Sequence, residues 1–365
     1  MIYFDNAATT IPINKPQSYY NPSSPHGLGL EAERALKAAR NKIFNVLYEN
    51  KQVGMDHASQ YGDVIFTSGG TESNNLAISG YVFANLRRGA SLVCALSEHP
   101  SLTAPVRFLC QQNWAINTNT LPISGKCLVI ISHVNYETGD INDINAIAKT
   151  AKSQNAETII LVDGSQGFCK EELNLEGIDM YTFSGHKCHG PLGVGGLWIR
   201  KGVRLLPLHY GGGQENGIRA GTENIVGIAQ MVDAVSSLYE QKNANYLHVA
   251  HIKDIMLGLC DDLPDVEVNS LGNTVSPYIL NMSFLGVKGE VLVSALSEKG
   301  LYVSMGAACQ SKKRKSSALE MMGFSAQQAQ SAIRFSFSHL NTSKEANEAR
   351  MLVVSQVKQL RKMKG

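Results

Sequence analysis

Apolar residues in the first half of the chain follow two alternating rhythms. From Leu28 to Tyr48 they recur at helical spacing, with Glu31, Glu33, Lys37, Arg40 and Lys42 on the opposite face, which predicts an amphipathic helix. Short apolar runs follow at Val64–Phe66, Leu92–Leu96, Leu128–Ser132, Thr158–Val162, Met180–Phe183 and Val194–Ile199, each too short for a helix and read as a strand. Helical patterns from Asn74 to Arg88 and from Ile144 to Gln154 fall between several of them. Strands separated by helices predict an α/β architecture, a mostly parallel sheet covered on both faces. A long helical pattern then runs from Asn224 to about Leu263. Strand-like Tyr278–Phe284 and Ile333–Phe337, with a final helix over Ser343–Lys362, predict a smaller α+β domain.

Ligands of open parallel sheets bind beyond the carboxyl ends of the strands, and the polar motifs fall there. The strand ending at Val162 delivers Asp163-Gly164-Ser165-Gln166, and the one ending at Phe183 delivers Ser184-Gly185-His186-Lys187-Cys188-His189-Gly190-Pro191. A strand that delivers an acid, followed by one that delivers a lysine, is what pyridoxal phosphate chemistry requires. The amine forms a Schiff base with the cofactor aldehyde, and the acid keeps the pyridine nitrogen protonated. Between a strand and a helix, Thr67-Ser68-Gly69-Gly70-Thr71-Glu72-Ser73-Asn74-Asn75 offers glycines for close backbone approach and N–H groups for a phosphate. An ordinary capped turn is the competing reading, and the company of Lys187 and Asp163 favours phosphate. His99, in Ser97-Glu98-His99-Pro100, is suited either to stack on a cofactor ring and shuttle protons or to sit as a hydrogen-bonded loop histidine. The loop Gly211-Gly212-Gly213-Gln214-Glu215, continued by Arg219-Ala220-Gly221-Thr222, is either a connector or a means of bringing Thr222 to a phosphate, across a subunit boundary included.

Farther along, Cys309 stands in Ser304-Met305-Gly306-Ala307-Ala308-Cys309-Gln310-Ser311, ahead of Lys312-Lys313-Arg314-Lys315. Small neighbours predict an accessible loop, and the basic run favours thiolate over thiol, so a reactive cysteine is the preferred reading over a buried one. Arg334, in the alternating strand Ile333–Phe337, either points into a cleft to grip a carboxylate or lies on the surface. His186, Cys188 and His189 are metal-ligand types, but their spacing is too tight for zinc pairs and no second cluster completes a set, so no metal is expected.

Composition narrows the class further. At 365 residues, 44% hydrophobic and a formal charge of +2, the chain can bury one large core and a smaller one, and its charge balance gives no reason to expect nucleic acid. No apolar run reaches the roughly 18 to 20 residues that span a bilayer, so no membrane association is expected. Met1-Ile2-Tyr3-Phe4-Asp5-Asn6 lacks the basic flank and apolar stretch of a secretory leader. The seven scattered cysteines predict reduced thiols in a cytoplasmic enzyme.

Taken together, these residues resemble the cysteine desulfurase family of pyridoxal phosphate enzymes, of aminotransferase class V type. The likeness runs from Tyr3-Phe4-Asp5-Asn6-Ala7-Ala8-Thr9-Thr10 and Asn21-Pro22-Ser23-Ser24 through to Arg334, and Gly306-Ala307-Ala308-Cys309 resembles the branch with a long active-site loop that feeds iron–sulfur cluster assembly. The resemblance implies a fold type I large domain with a mostly parallel seven-stranded sheet, spanning 14–240. It implies a small domain made of 1–13 and 241–365 that carries the Cys309 loop.

It further implies that Lys187 is the Schiff-base lysine, Asp163 pairs with the pyridine nitrogen, Gln166 contacts the ring hydroxyl and His99 stacks on the ring. Gly70, Thr71, Ser184 and His186 would hold the phosphate, with Thr222 reaching over from the partner subunit of a homodimer. Arg334 would grip the substrate carboxylate near Tyr136, which stands where the family usually has asparagine. The implied reaction takes sulfur from L-cysteine, leaving L-alanine and a Cys309 persulfide for a sulfur-acceptor or scaffold protein, in iron–sulfur cluster assembly or thio-cofactor synthesis. Two further differences are a shorter segment between Trp114 and Leu128 and a Lys- and Ser-rich stretch after Cys309. The alternatives are a lyase or aminotransferase of the same type acting on another small amino acid, prompted by Tyr136, and a non-catalytic sulfur-relay or binding partner.

Overall fold

The computed structural model describes residues 2–7, 20–48, 61–118, 125–305 and 318–363, so Cys309 and the 312–315 run lie outside the described residues. The described residues fall into two units, one within 11–133 and 142–240, the other within 1–10, 134–141 and 241–365.

In the larger unit, period-two alternation along the strands feeds two apolar layers. Val64, Phe66, Val129, Ile160 and Val162 join one core, while Ile65, Leu128, Ile130 and Leu161 join the other. A sheet buried on both faces needs apolar residues at every position, which is why its strands read as unbroken apolar runs. Helices Gly27–Leu47, Ile144–Gln154 and Ile225–Glu240 contribute to the first layer, and Gly70–Asn85 and Pro100–Gln111 to the second. The seven strands lie in the order Gly62–Thr67, Gly195–Arg200, Met180–Ser184, Thr158–Asp163, Cys127–Ser132, Ser91–Cys94 and Ile116–Asn117. Among these described strands only Gly195–Arg200 runs opposite to the rest, antiparallel to Gly62–Thr67 on one side and Met180–Ser184 on the other. The two-residue edge strand Ile116–Asn117 is too short to leave a period in the sequence.

The smaller unit is built on an antiparallel sheet in the order Ala332–Ser336, Ile279–Phe284, Val266–Val268, beside a parallel pair of Ile2–Tyr3 with Leu301–Tyr302. Phe4, Ile252, Met256, Leu280, Phe284, Phe335 and Val353 fill its core. Its last helix, Ser343–Lys362, begins with a capping box between Thr342 and Glu345. Residues 134–141, inside the 14–240 span expected for the large domain, belong to this smaller unit. Ile141 N donates to Thr274 O at 3.0 Å, and the Asp140 carboxylate accepts from Leu271 N and Gly272 N at 3.0 and 2.9 Å.

The helical pattern over 224–263 is three helices, Ile225–Glu240, Lys242–Leu257 and Leu259–Asp262. The break has a packing origin. Ile228, Met231 and Val235 belong to the larger unit's core, whereas Val249, Ile252 and Met256 belong to the smaller unit's. Among the described residues no helix is long and apolar enough to cross a membrane. Among the described residues, Cys94, Cys110, Cys127, Cys169, Cys188 and Cys260 are not in disulfides.

Candidate active site

Asp163 ends its strand in register with Thr182 of the next. Its buried carboxylate accepts from Ser165 N and from Asn74 Nδ2, each at 2.8 Å. Asn74 Oδ1 in turn accepts from Thr182 Oγ1 at 2.7 Å. The pattern of the chain does not single out Asn74 or Thr182. The available signal is that Thr182 is a polar position inside an apolar strand; both side chains are almost fully buried.

One strand over, Ser184 leads into the short turn Gly185–Lys187, where His186 and Lys187 are half-buried. Burial, then the neighbouring Lys187 ammonium and Lys170, push the His186 pKa down to about 4, so its imidazole is neutral at pH 7. The turn Thr67–Gly70 approaches the same strand end. Gly69 has a φ of 152°, which L side chains rarely adopt, and a Cβ on Gly70 would stand 2.8 Å from Ser165 Oγ and 3.5 Å from Ser184 Cβ. These glycines bring the start of helix Gly70–Asn85 close to Ser184 and Ser165.

No side chain caps that helix start. Its first N–H groups therefore point outward with the positive end of the helix dipole. The Ser184 hydroxyl is buried with no hydrogen-bond partner among the described residues. A buried hydroxyl beside an uncapped helix N-terminus is a cradle suited to a phosphate. With Asp163 and Lys187 on adjacent strand ends, the residues fit pyridoxal phosphate.

His99 forms the N-cap of helix Pro100–Gln111, its Nδ1 accepting from Ser101 N at 3.1 Å and lying 2.8 Å from Ser101 Oγ. Beside it, Glu98 packs on Ser132, whose N–H donates to Oε1 at 3.1 Å and whose hydroxyl donates to Oε2. Burial drives the Glu98 pKa up to about 7, with Asp163 adding to the rise and the Ser132 hydrogen bonds opposing it. Gln166 is buried just past Asp163.

Thr222 is exposed on a loop that two ion pairs pin. Arg219 Nε donates to Glu72 Oε1 at 2.8 Å. The nearly inaccessible Glu215 carboxylate receives Arg40 Nη1 and Nη2 at 2.9 and 2.8 Å, together with Phe66 N at 2.8 Å. Both acids hold this loop to the strand and turn that start the glycine motif.

In the smaller unit, Arg334 is buried, contrary to a surface placement. Its Nη1 donates to the Tyr136 carbonyl at 2.8 Å, its Nη2 lies 3.6 Å from Asp5 Oδ1, and its Nε has no partner among the described residues. Tyr136 thus meets the arginine through its main chain.

An acid and a lysine on neighbouring ends of a mostly parallel seven-stranded sheet define the fold type I class of pyridoxal phosphate enzymes. The aminotransferase class-V family model matches residues 2–348. Cysteine desulfurase IscS of Buchnera aphidicola subsp. Schizaphis graminum is 34% identical over 391 residues, covering 99% of this chain and 93% of that protein. A solved NifS-like protein superposes with a TM-score of 0.86 at 28% identity, covering 98% of this chain and 99% of its own. A structure of SspA in complex with cysteine superposes with a TM-score of 0.76 at 27% identity, covering 94% of this chain and 100% of its own. The chain belongs to the aminotransferase class-V family and, within it, to the pyridoxal phosphate-dependent cysteine desulfurases.

Proposed function

We propose that this protein removes sulfur from L-cysteine, giving L-alanine and a persulfide on Cys309. The observation that carries the reading is the buried Ser184 hydroxyl, without a partner among the described residues, beside the glycine turn and uncapped helix that precede the Asp163 and Lys187 strand ends. When bound, pyridoxal phosphate supplies an electron sink for bonds at the substrate's α-carbon.

The chain's own groups divide the remaining work. Lys187 would hold the cofactor through its amine, and Asp163, fixed by Ser165 N and Asn74, would offer its carboxylate to the pyridine nitrogen. Gln166 would meet the ring hydroxyl and His99 would stack on the ring. Gly70, Thr71, Ser184 and His186 would receive the phosphate. Arg334, held at Nη1 by the Tyr136 carbonyl, keeps its Nε edge for the substrate carboxylate.

In the sulfur step, Cys309 Sγ bonds to the substrate sulfur as the substrate C–S bond breaks, and the carbon left behind takes a proton to become the methyl group of alanine. In a homodimer the exposed Thr222, on its ion-paired loop, would complete the partner's phosphate site. A cytoplasmic enzyme that passes sulfur to an acceptor protein follows from the same reading.

The test is to incubate the purified protein with L-cysteine under a thiol reductant and quantify alanine and sulfide. Both are expected from wild type, and both are expected to vanish in Cys309→Ala. Alanine no higher than in Lys187→Ala would refute the proposal. A stronger change in the cofactor spectrum with a non-sulfur amino acid would move the activity to that substrate.

A further inference from the structure

Ser101 is bonded on both sides. Asn74 Nδ2 reaches Ser101 Oγ at 2.9 Å and Asp163 Oδ2 at 2.8 Å, so the two protons of one amide are shared between the serine and the acid. Thr182 Oγ1 donates to Asn74 Oδ1 at 2.7 Å. An ionised Asp163 only accepts, so the Asn74 amide must turn its NH2 towards it and its oxygen towards the Thr182 hydroxyl. Ser101 Oγ therefore accepts from Asn74. Its own proton is left for His99 Nδ1, 2.8 Å away. The Ser101 backbone N–H points to the same nitrogen at 3.1 Å.

We propose that Ser101 is a positioning residue which, with Asn74, connects Asp163 to His99 and holds the imidazole as the tautomer protonated on Nε2. Two donors converge on Nδ1. A proton on that nitrogen would set donor against donor inside the first turn of helix Pro100–Gln111 and leave the Ser101 N–H without an acceptor. The positive end of the same helix also favours a lone pair over an N–H at its cap. Ser101, Asn74, Thr182 and Asp163 are all buried, so water does not compete for these bonds. The one ring proton His99 can donate while neutral is then on Nε2, and the group beneath the cofactor nitrogen is linked to the group stacked on the ring by three hydrogen bonds. The inference rests on the reading of His99 and Asp163 as cofactor-facing groups.

The experiment labels the full chain with 15N-histidine and reads the two ring nitrogens of His99 by NMR, with and without pyridoxal phosphate, assigning them by their loss in His99→Gln. Wild type is expected to show a pyridine-type Nδ1 and a protonated Nε2. In Ser101→Ala the Nε2–H to Nδ1–H ratio is expected to fall about tenfold, the worth of one hydrogen bond, because the backbone donor alone remains. Ser101→Thr keeps a hydroxyl and is expected to restore the ratio. A protonated Nδ1 in wild type, an unchanged ratio in Ser101→Ala, or no rescue by threonine would each overturn the proposal. The wild-type measurement decides the tautomer even if a variant fails to fold. Failure to make alanine from cysteine would leave this result standing, and a protonated Nδ1 would leave the alanine assay standing.

Discussion

Glu98→Gln is expected to stabilise the protein in alkaline solution and to do nothing in acid. In the fold the Glu98 carboxyl is pushed up to about 7 from its ordinary 4.5, burial being the main cause. Folding therefore takes up a proton there. The resulting stability is fully present below pH 4.5 and is lost as pH rises through 7. At about 1.36 kcal/mol for each tenfold change in proton affinity, the ionised group costs the fold roughly 3 kcal/mol above pH 7. Glutamine keeps both contacts, since its oxygen accepts from Ser132 N and its NH2 donates to the Ser132 hydroxyl. The assay is denaturant unfolding of wild type and variant between about pH 4 and pH 9. The variant should gain about 3 kcal/mol at the alkaline end, about half of that near pH 5.5, and close to nothing near pH 4. A difference that stays constant across this range, or a wild type more stable at high pH, would refute the reasoning.

Ser184→Ala should leave the apoprotein as stable or up to about 1 kcal/mol more stable, because it removes a buried hydroxyl with no partner among the described residues, yet weaken cofactor binding about tenfold, measured by fluorescence titration. Arg334→Lys should raise the KM for L-cysteine by roughly 10- to 100-fold with little change in kcat, since lysine keeps the charge and loses the fork, and steady-state kinetics would show it. Arg219→Ala breaks a part-exposed pair with Glu72 and should cost at most about 1 kcal/mol in unfolding experiments, while loosening the Thr222 loop enough to weaken cofactor binding in the same titration.

The strand–helix alternation was readable because a doubly covered sheet demands continuous apolar runs such as Leu128–Ser132 and Thr158–Val162. The positions of Asp163 and Lys187 were readable too, since Asp163 closes one strand and Lys187 lies in the turn that follows the next. What stayed hidden depends on contacts between distant segments. Asn74 and Asp163 lie 89 residues apart and Arg40 and Glu215 lie 175 apart, and neither pairing leaves a trace in local periodicity. The assignment of 134–141 to the smaller unit has the same origin, as its anchors at 270–274 and Arg334 are far along the chain. The break at Gln241 was invisible because both flanking helices keep an apolar face, and only the core that each face joins differs.

The most direct test of the account is covalent. The protein purified with pyridoxal phosphate should be reduced with borohydride, digested, and mapped by mass spectrometry. A pyridoxyl group on the peptide carrying Lys187, and its absence in Lys187→Ala, is the predicted result. A colourless protein that takes up no cofactor, or an adduct on a different lysine, would contradict it.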